Sequence, residues 1–183
     1  CAYTGTPLVL ALFLQGGLGY TPLQSGLTAS AFAIGVTVAA PIAGRMLPRF
    51  GARVLLAGLV LFTVGVAAAG LAGALAAGRV WAGGVALLLV VPLLVAGAGG
   101  GSVITPNQAL SLSEVDVAGG STAGGTLQTA QRIGNAIGAA VISAVFYAAS
   151  RSPGPNREAT YGHAYGLALG VSVVFALAAI GLA

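Results

Sequence analysis

The chain has 183 residues, of which 57% are hydrophobic and only 5% are charged. A soluble domain carries charge on about a quarter of its residues, so this composition excludes an ordinary cytosolic enzyme, a disordered segment and a nucleic-acid-binding protein. The net charge of +4 comes from arginines scattered among long apolar runs, which is not a phosphate-binding patch. The single cysteine, Cys1, excludes a disulfide framework and a Cys-based zinc site. The sequence therefore predicts an integral membrane protein.

Six apolar stretches are candidates for membrane-spanning helices, each of which needs about 20 residues. In chain order they cover residues 3–16, 25–44, 54–76, 81–104, 125–149 and 161–183. The first is too short to span, and the last reaches the end of the chain without closing charges. We therefore expect an all-α, polytopic six-helix bundle whose first and last spans are truncated, as part of a longer protein.

The second connector, residues 45–53, contains three arginines and no acidic residue. Cytoplasmic loops are enriched in Lys and Arg, which places the second and fourth connectors on the cytoplasmic side. Aromatic residues mark the first, third and fifth connectors and predict a belt at the opposite interface: Tyr20, Trp81, Tyr147, Tyr161 and Tyr165.

The spans differ in polarity. The third and sixth are almost bare of polar groups, and such helices can face lipid all round. The fifth carries a polar stripe about 120° wide, formed by Gln128, Gln131, Arg132, Asn135 and Ser143. Polar side chains are expensive in a bilayer unless they meet a partner helix or a water-filled cavity. The stripe therefore predicts a bundle with a wet interior.

Further candidates for lining that cavity are Gln15 in the first span, Thr28 and Thr37 in the second, and Ser102 and Asn107 in the fourth. The alternative is that the hydroxyls bond to their own helix and the amides hold helices together. Two roles stay open for Arg132 as well: an anchor that reaches toward the interface, and a direct part in substrate binding or gating.

Glycines four residues apart predict close helix contacts, because a missing Cβ lets two backbones approach. The candidate pairs are Gly97 with Gly101 and Gly134 with Gly138.

Catalytic chemistry is not apparent in this sequence. No Asp or Glu falls inside a predicted span, and no Ser/His/Asp set, metal cluster or phosphate-binding loop can be assembled. We therefore expect no enzymatic activity, no cofactor and no metal site. Proton relays in membranes generally use buried carboxylates or histidines, so a proton-carrying residue would lie outside this chain.

The segment GRMLPRFGAR, residues 44–53, resembles the cytoplasmic-loop signature of the major facilitator superfamily, Gly-x-x-x-Asp-Arg-x-Gly-Arg-Arg. Gly44, Arg49, Gly51 and Arg53 match it, while Pro48 stands at the acidic position. Residues 14–27 with 39–46, and residues 119–141, are similar to the fourteen-span drug:proton antiporters of the EmrB/QacA type. This resemblance covers essentially the whole chain.

The resemblance implies that these spans form the carboxy-terminal half of a plasma-membrane transporter, with its third and sixth helices outermost and both chain ends cytoplasmic. It implies an amino-terminal half as partner, amphipathic and often cationic substrates, proton coupling and alternating access. The signature loop (Gly44, Arg45, Arg49, Gly51 and Arg53) would brace the inner gate. Two alternatives stay open: a superfamily transporter for a defined metabolite or siderophore, and a non-transporting membrane scaffold.

Overall fold

The computed structural model describes residues 2–76, 82–112, 120–151 and 157–181. Within these ranges the backbone forms α1 (Ala2–Leu12), α2 (Pro22–Phe50), α3 (Arg53–Ala76), α4 (Ala82–Leu112), α5 (Gly120–Ser150) and α6 (Arg157–Gly181). A π-helical segment, Phe13–Gly17, continues α1. The helices α2 to α6 are each long and apolar enough to cross a membrane. The prediction of an all-α, polytopic membrane fold is thus confirmed.

Successive helices run in opposite directions through the bundle. The chain turns at Tyr20 between α1 and α2, and at Gly51 between α2 and α3, and we name the two ends of the bundle after these residues. At the Tyr20 end, the Tyr20 phenol hydrogen-bonds to the backbone of Ala86 near the start of α4, and burial raises the pKa of this phenol above its ordinary value. At the same end α6 begins, and Arg157 Nε donates a 2.9 Å hydrogen bond to the Gly16 carbonyl.

The two halves of the chain make equivalent contacts. The first helix, α1, packs against α5 and α6, and the fourth, α4, packs in the corresponding way against α2 and α3. Helices α3 and α6 pack against each other behind this pair. The core between them is apolar, and in it Phe13 stacks on Tyr165 with ring centroids 4.7 Å apart.

Glycines bring α4 into backbone contact with its neighbours. A Cβ on Gly97 would overlap the carbonyl oxygen of Phe32 in α2, and one on Gly101 would lie 2.6 Å from the Val36 oxygen. On the opposite side, a Cβ on Gly99 would overlap the backbone nitrogen of Phe62 in α3. The pair that the four-residue spacing singles out in α4 therefore faces α2.

The second predicted pair, Gly134 and Gly138, lies in α5. Gly134 is half-buried and Gly138 is buried. Gly138 shares its face with Ile142, which packs on Gly5 of α1, where an added Cβ would overlap the Ile142 side chain.

The third and sixth spans, which could face lipid all round by their composition, do not do so. Both helices have a fully buried face, which includes Val66 and Ala69 in α3 and Leu169 in α6, while Val64 and Val174 on the other faces are more than half exposed. Polar groups are not needed for this packing, because small residues allow it: a Cβ on Gly65 would overlap the backbone of Ala96.

The second connector is shorter than predicted. Helix α2 continues to Phe50, so Gly44, Arg45 and Arg49 are helical, and only residues 51–52 link α2 to α3. Gly51 ends α2 with φ of 55° while its N–H donates to the Leu47 carbonyl. An apolar run ends where the hydrocarbon ends, whereas a helix ends where its backbone is capped. For this reason the helices around the first, second, fourth and fifth connectors extend past the predicted spans.

The aromatic belt is also corrected. Tyr165 is fully buried, because it lies two turns into α6 on the face that meets α1 and α3. A Cβ on Gly73 of α3 would lie 2.5 Å from its ring. Tyr147 is half exposed and Tyr161 is half-buried, both at the Tyr20 end. Trp81 lies outside the described residues.

Candidate functional site

One face of α1 is exposed at the front of the bundle. Thr4, Leu8 and Gln15 are exposed on this face, at helical spacing. Helix α1 lies between α2 and α5. It contacts α2 through Tyr3, whose ring centroid is 5.4 Å from that of Phe32, and it contacts α5 at Gly5. We call this surface the α1 face. It lies opposite the α3–α6 contact.

Gln15 is held in place at the Tyr20 end of the α1 face. Its Nε2 donates a 3.0 Å hydrogen bond to Ser25 Oγ of α2, and Ser25 itself is buried. This bond crosses between two helices, so it fixes the amide at the junction of α1 and α2. Gln15 is thus one predicted polar residue that the structure places on the α1 face.

The predicted hydroxyls of α2 and α4 bond to their own helices. Each donates to the carbonyl four residues earlier: Thr28 to Gln24 (3.0 Å), Thr37 to Ala33 (2.9 Å) and Ser102 to Ala98 (2.8 Å). Thr28 is buried and Thr37 is exposed. Ser102 lies against α3, since a Cβ on Gly58 would be 2.9 Å from its Cβ. Asn107, near the Gly51 end of α4, is half-buried.

The polar stripe of α5 continues the face that packs against α1. At 100° per residue, Gln131 and Asn135 share a face with the buried Gly138, Ile142 and Phe146. Both polar residues are half-buried, whereas Gln128 and Arg132 are exposed. Ser143 flanks the stripe, and its buried Oγ has no hydrogen-bond partner among the described residues.

The level of the stripe explains its exposure. Helices α1 and α5 are parallel, and Gly5 is level with Ile142, so Ala2 is level with about residue 139. Asn135 and Gln128 lie about 6 Å and about 17 Å further toward the Gly51 end, at 1.5 Å per residue. Within the described chain, α1 does not reach this level and does not cover the stripe, in which Gln128 and Arg132 are exposed.

Positive charge is present at both ends of the bundle. Arg45, Arg49 and Arg53 are exposed at the Gly51 end, where the Arg49 guanidinium lies 5.4 Å from the Phe50 ring centroid. Arg157 lies at the Tyr20 end. Among the described residues the only carboxylate side chain is Glu158, in the first turn of α6, so the described surface is strongly basic.

A feature that the sequence analysis missed is a crevice of about 210 Å³ that opens beside the α1 face at the Tyr20 end. We call it the aromatic crevice, and its lining includes Leu8, Leu12, Gln15, Phe146, Tyr147 and Tyr161. Its signal in the sequence is the pair Gly16–Gly17: a Cβ on either would lie within 3 Å of Tyr161. Larger hollows of about 370–380 Å³ lie on the bare helices instead, between α2 and α3 and between α3 and α6.

Comparison with known proteins places the chain in a family. Its sequence matches the Major Facilitator Superfamily over residues 1–183. It is 36% identical over 146 residues to a "Probable actinorhodin transporter" of Streptomyces coelicolor, covering 79% of this chain and 24% of that protein. It is 32% identical over 148 residues to the "Multidrug resistance protein Stp" of Mycobacterium tuberculosis, covering 80% of this chain and 26% of that protein.

The chain spans about a quarter of the length of these curated relatives. No solved structure matches it significantly. The family match extends over every helix described above, including the segment of residues 44–53 whose pattern resembles the superfamily signature. The chain belongs to the Major Facilitator Superfamily.

Proposed function

We propose that this chain is the carboxy-terminal six-helix half of a fourteen-span, EmrB/QacA-type secondary active transporter in the cell membrane. The transporter exports drugs or other amphipathic small molecules in exchange for protons. The observation that carries this proposal is the family match over the whole chain, together with relatives named as a transporter and a multidrug resistance protein.

Transport by this half requires it to move as one body against an amino-terminal half, so that a midplane site opens to each side in turn. The backbone contacts of Gly97 with α2 and of Gly99 with α3 support this, because such close contacts resist sliding. The arginines Arg45, Arg49 and Arg53 project at the Gly51 end, where they would brace the closed gate on the cytoplasmic side.

The substrate path would run along the α1 face. Gln15 and the stripe residues Gln128, Gln131, Arg132 and Asn135 are its polar lining in this proposal, with Thr37, Asn107 and Ser143 beside them. The only described carboxylate, Glu158, lies at a helix end, so the group that carries the proton would be supplied by another part of the protein.

Cysteine labelling tests this path against the alternative of a scaffold that binds a partner helix. Gln128→Cys and Asn135→Cys are introduced into the full-length protein after Cys1→Ser removes the cysteine of this chain. We expect a water-soluble thiol reagent to label both and substrate to slow the labelling. The lipid-side control, Ile137→Cys, should stay unlabelled. A dry helix interface would leave all three unlabelled and would exclude the transport path.

A transporter for one defined metabolite is the second candidate, and the name of the Streptomyces relative favours it. The two candidate functions differ in the range of compounds that the protein would export. Deletion of the gene should increase sensitivity to several unrelated compounds if the protein exports drugs broadly, but to one compound and its analogues if the protein is dedicated. Growth inhibition across a chemically diverse panel, with the complemented strain as control, separates them.

A further inference from the structure

The aromatic crevice has walls of closely packed aromatic rings and is not a gap between loosely packed helices. Phe146 makes edge contacts with both Tyr147 and Tyr161, with ring centroids 5.8 Å apart in each pair. Tyr161 closes the far side against Gly16 and Gly17, where a side chain would leave no room for its ring. The rings are therefore fixed before any ligand arrives.

The crevice is large enough to hold only part of a drug-sized ligand. Cavities of about 150 Å³ hold benzene, and sites for whole drug-sized molecules occupy about 300–1,000 Å³. At about 210 Å³, this crevice fits a flat ring system while the remainder of the molecule lies along the α1 face. Tyr147 is half exposed at the opening, where its ring can stack on the ligand.

Arg157 places a positive charge next to the crevice, beside two of its lining residues, Gly16 and Tyr161. Arg157 is anchored by its Nε to the Gly16 carbonyl, and its guanidinium lies 5.7 Å from the Tyr161 ring centroid. Aromatic walls normally attract cations, but here the protein's own cation already occupies the face of Tyr161. The Nη groups of a guanidinium carry four further N–H donors, which suit a carboxylate or phenolate oxygen.

Arg157 is not paired with a carboxylate among the described residues. Glu158, the one carboxylate of the described chain, follows it directly but makes no ion pair with it, since successive residues on a helix point about 100° apart. On α5, toward the Gly51 end, the exposed charge is again an arginine, Arg132. A cation would therefore meet an exposed arginine at both ends of the path, and like charges repel each other.

From this geometry we propose that the aromatic crevice is the subsite for the planar ring system of the substrate, and that Arg157 makes it select anionic or neutral aromatic compounds over cationic ones. The inference rests on the proposed transport function and adds the substrate class. It differs from the expectation, drawn from the family resemblance, that the substrates are often cationic.

The experiment compares three xanthene dyes of similar size and different charge: anionic fluorescein, a neutral rhodol and cationic rhodamine 123. Binding to the purified full-length protein is measured by fluorescence polarisation, and efflux is measured in cells. We expect fluorescein and the rhodol to bind at least fivefold more tightly than rhodamine 123. Equal or tighter binding of the cation would overturn the charge preference.

Variants locate the effect in the crevice. Arg157→Gln should reduce the fluorescein-to-rhodamine preference at least threefold, and Arg157→Lys should retain most of it. Tyr147→Ala should weaken binding of all three dyes about fivefold, whereas Tyr147→Phe, which keeps the ring, should not. Val174→Ala, on the exposed face of α6 away from the crevice, is the matched control and should bind like the unmodified protein.

The outcomes separate the two proposals. Selective binding that Arg157→Gln abolishes supports the subsite even if no dye is exported, and only the transport function then fails. Export of rhodamine 123 in preference to fluorescein supports transport and overturns the subsite. Thermal unfolding of each variant is recorded, so that its binding is compared with that of the unmodified protein only if the variant is folded.

Discussion

The side chain of Tyr165 carries a buried polar atom at the centre of the apolar core. Its ring stacks on Phe13, but its hydroxyl has no hydrogen-bond partner among the described residues. A buried polar group without a partner costs about 1–3 kcal/mol. Tyr165→Phe should therefore leave the free energy of unfolding unchanged or raise it by about 1 kcal/mol.

The comparison for this prediction is Tyr165→Ala, which removes the ring and should cost about 3–5 kcal/mol, as other aromatic truncations in cores do. Both changes are measured by the unfolding midpoint of the purified protein in detergent. A marked loss of stability in Tyr165→Phe would show that the hydroxyl has a partner in the intact protein.

A single methyl group at Gly97 tests the contact between α2 and α4. Because a Cβ there would overlap the Phe32 carbonyl, Gly97→Ala must separate the two helices and should cost about 1–3 kcal/mol, the usual range for overpacking. Gly124→Ala is the control, since nothing lies within 4 Å of that position. If both variants unfold at the same temperature, the two backbones are not in contact.

At the residue scale, the sequence predicted which polar residues share a helix face better than it predicted what those residues contact. The repeat of Gln131 and Asn135 identified one face of α5, because helical periodicity is local. A few turns further along α5, the same face packs against α1. The sequence of α5 alone does not show this contact, because it depends on which helix lies next to α5. Thr28, Thr37 and Ser102 form hydrogen bonds within their own helices. This is the alternative to lining a cavity that the sequence had left open for them.

At the scale of a helix, the start of α2 shows a cap that the apolar pattern did not identify. Thr21 Oγ1 accepts a 3.3 Å hydrogen bond from the Gln24 backbone N–H, while the Gln24 side chain accepts a 3.0 Å bond from the Thr21 N–H. Such a reciprocal cap contributes about 1 kcal/mol. The letters T-P-L-Q are its signal, with Pro22 at the first helical position.

Thr21→Ala should therefore lower the free energy of unfolding by about 1 kcal/mol. The matched control is Thr126→Ala, because that exposed hydroxyl bonds to the carbonyl of Thr122 in its own helix, and its removal should change stability by less than about 0.5 kcal/mol. Thermal unfolding of the two variants side by side checks the difference, and equal midpoints would mean that the cap is not formed.

The segment from Gly44 to Arg53 is a helix end followed by a two-residue turn, and its arginines are exposed. If they brace the gate, Arg49→Ala and Arg53→Ala should slow transport about tenfold, or about 1.4 kcal/mol in the barrier, with little change in substrate affinity. Arg49→Lys, which keeps the charge, should be milder. Unchanged turnover in both alanine variants would remove the gate role from this segment.

At the scale of the whole molecule, six apolar runs predicted six helices in the right order, because burial in a bilayer requires such runs. They did not predict which helices touch. The absence of polar groups in α3 and α6 indicated lipid contact, yet glycine and alanine let these helices pack closely. The aromatic crevice was missed for a related reason: its parts, Gln15, Tyr147 and Tyr161, come from three different helical segments.

The backbone contacts around α4 also determine how the gene can vary. Every missense change of a glycine codon adds at least a Cβ, so no substitution at Gly35, Gly97, Gly99 or Gly101 avoids a collision with a neighbouring backbone. Gly26, Gly120 and Gly125 have open space around them and should accept alanine or serine freely. A saturation library selected for protein level in the membrane should therefore lose almost all variants at the first four codons and retain many at the last three.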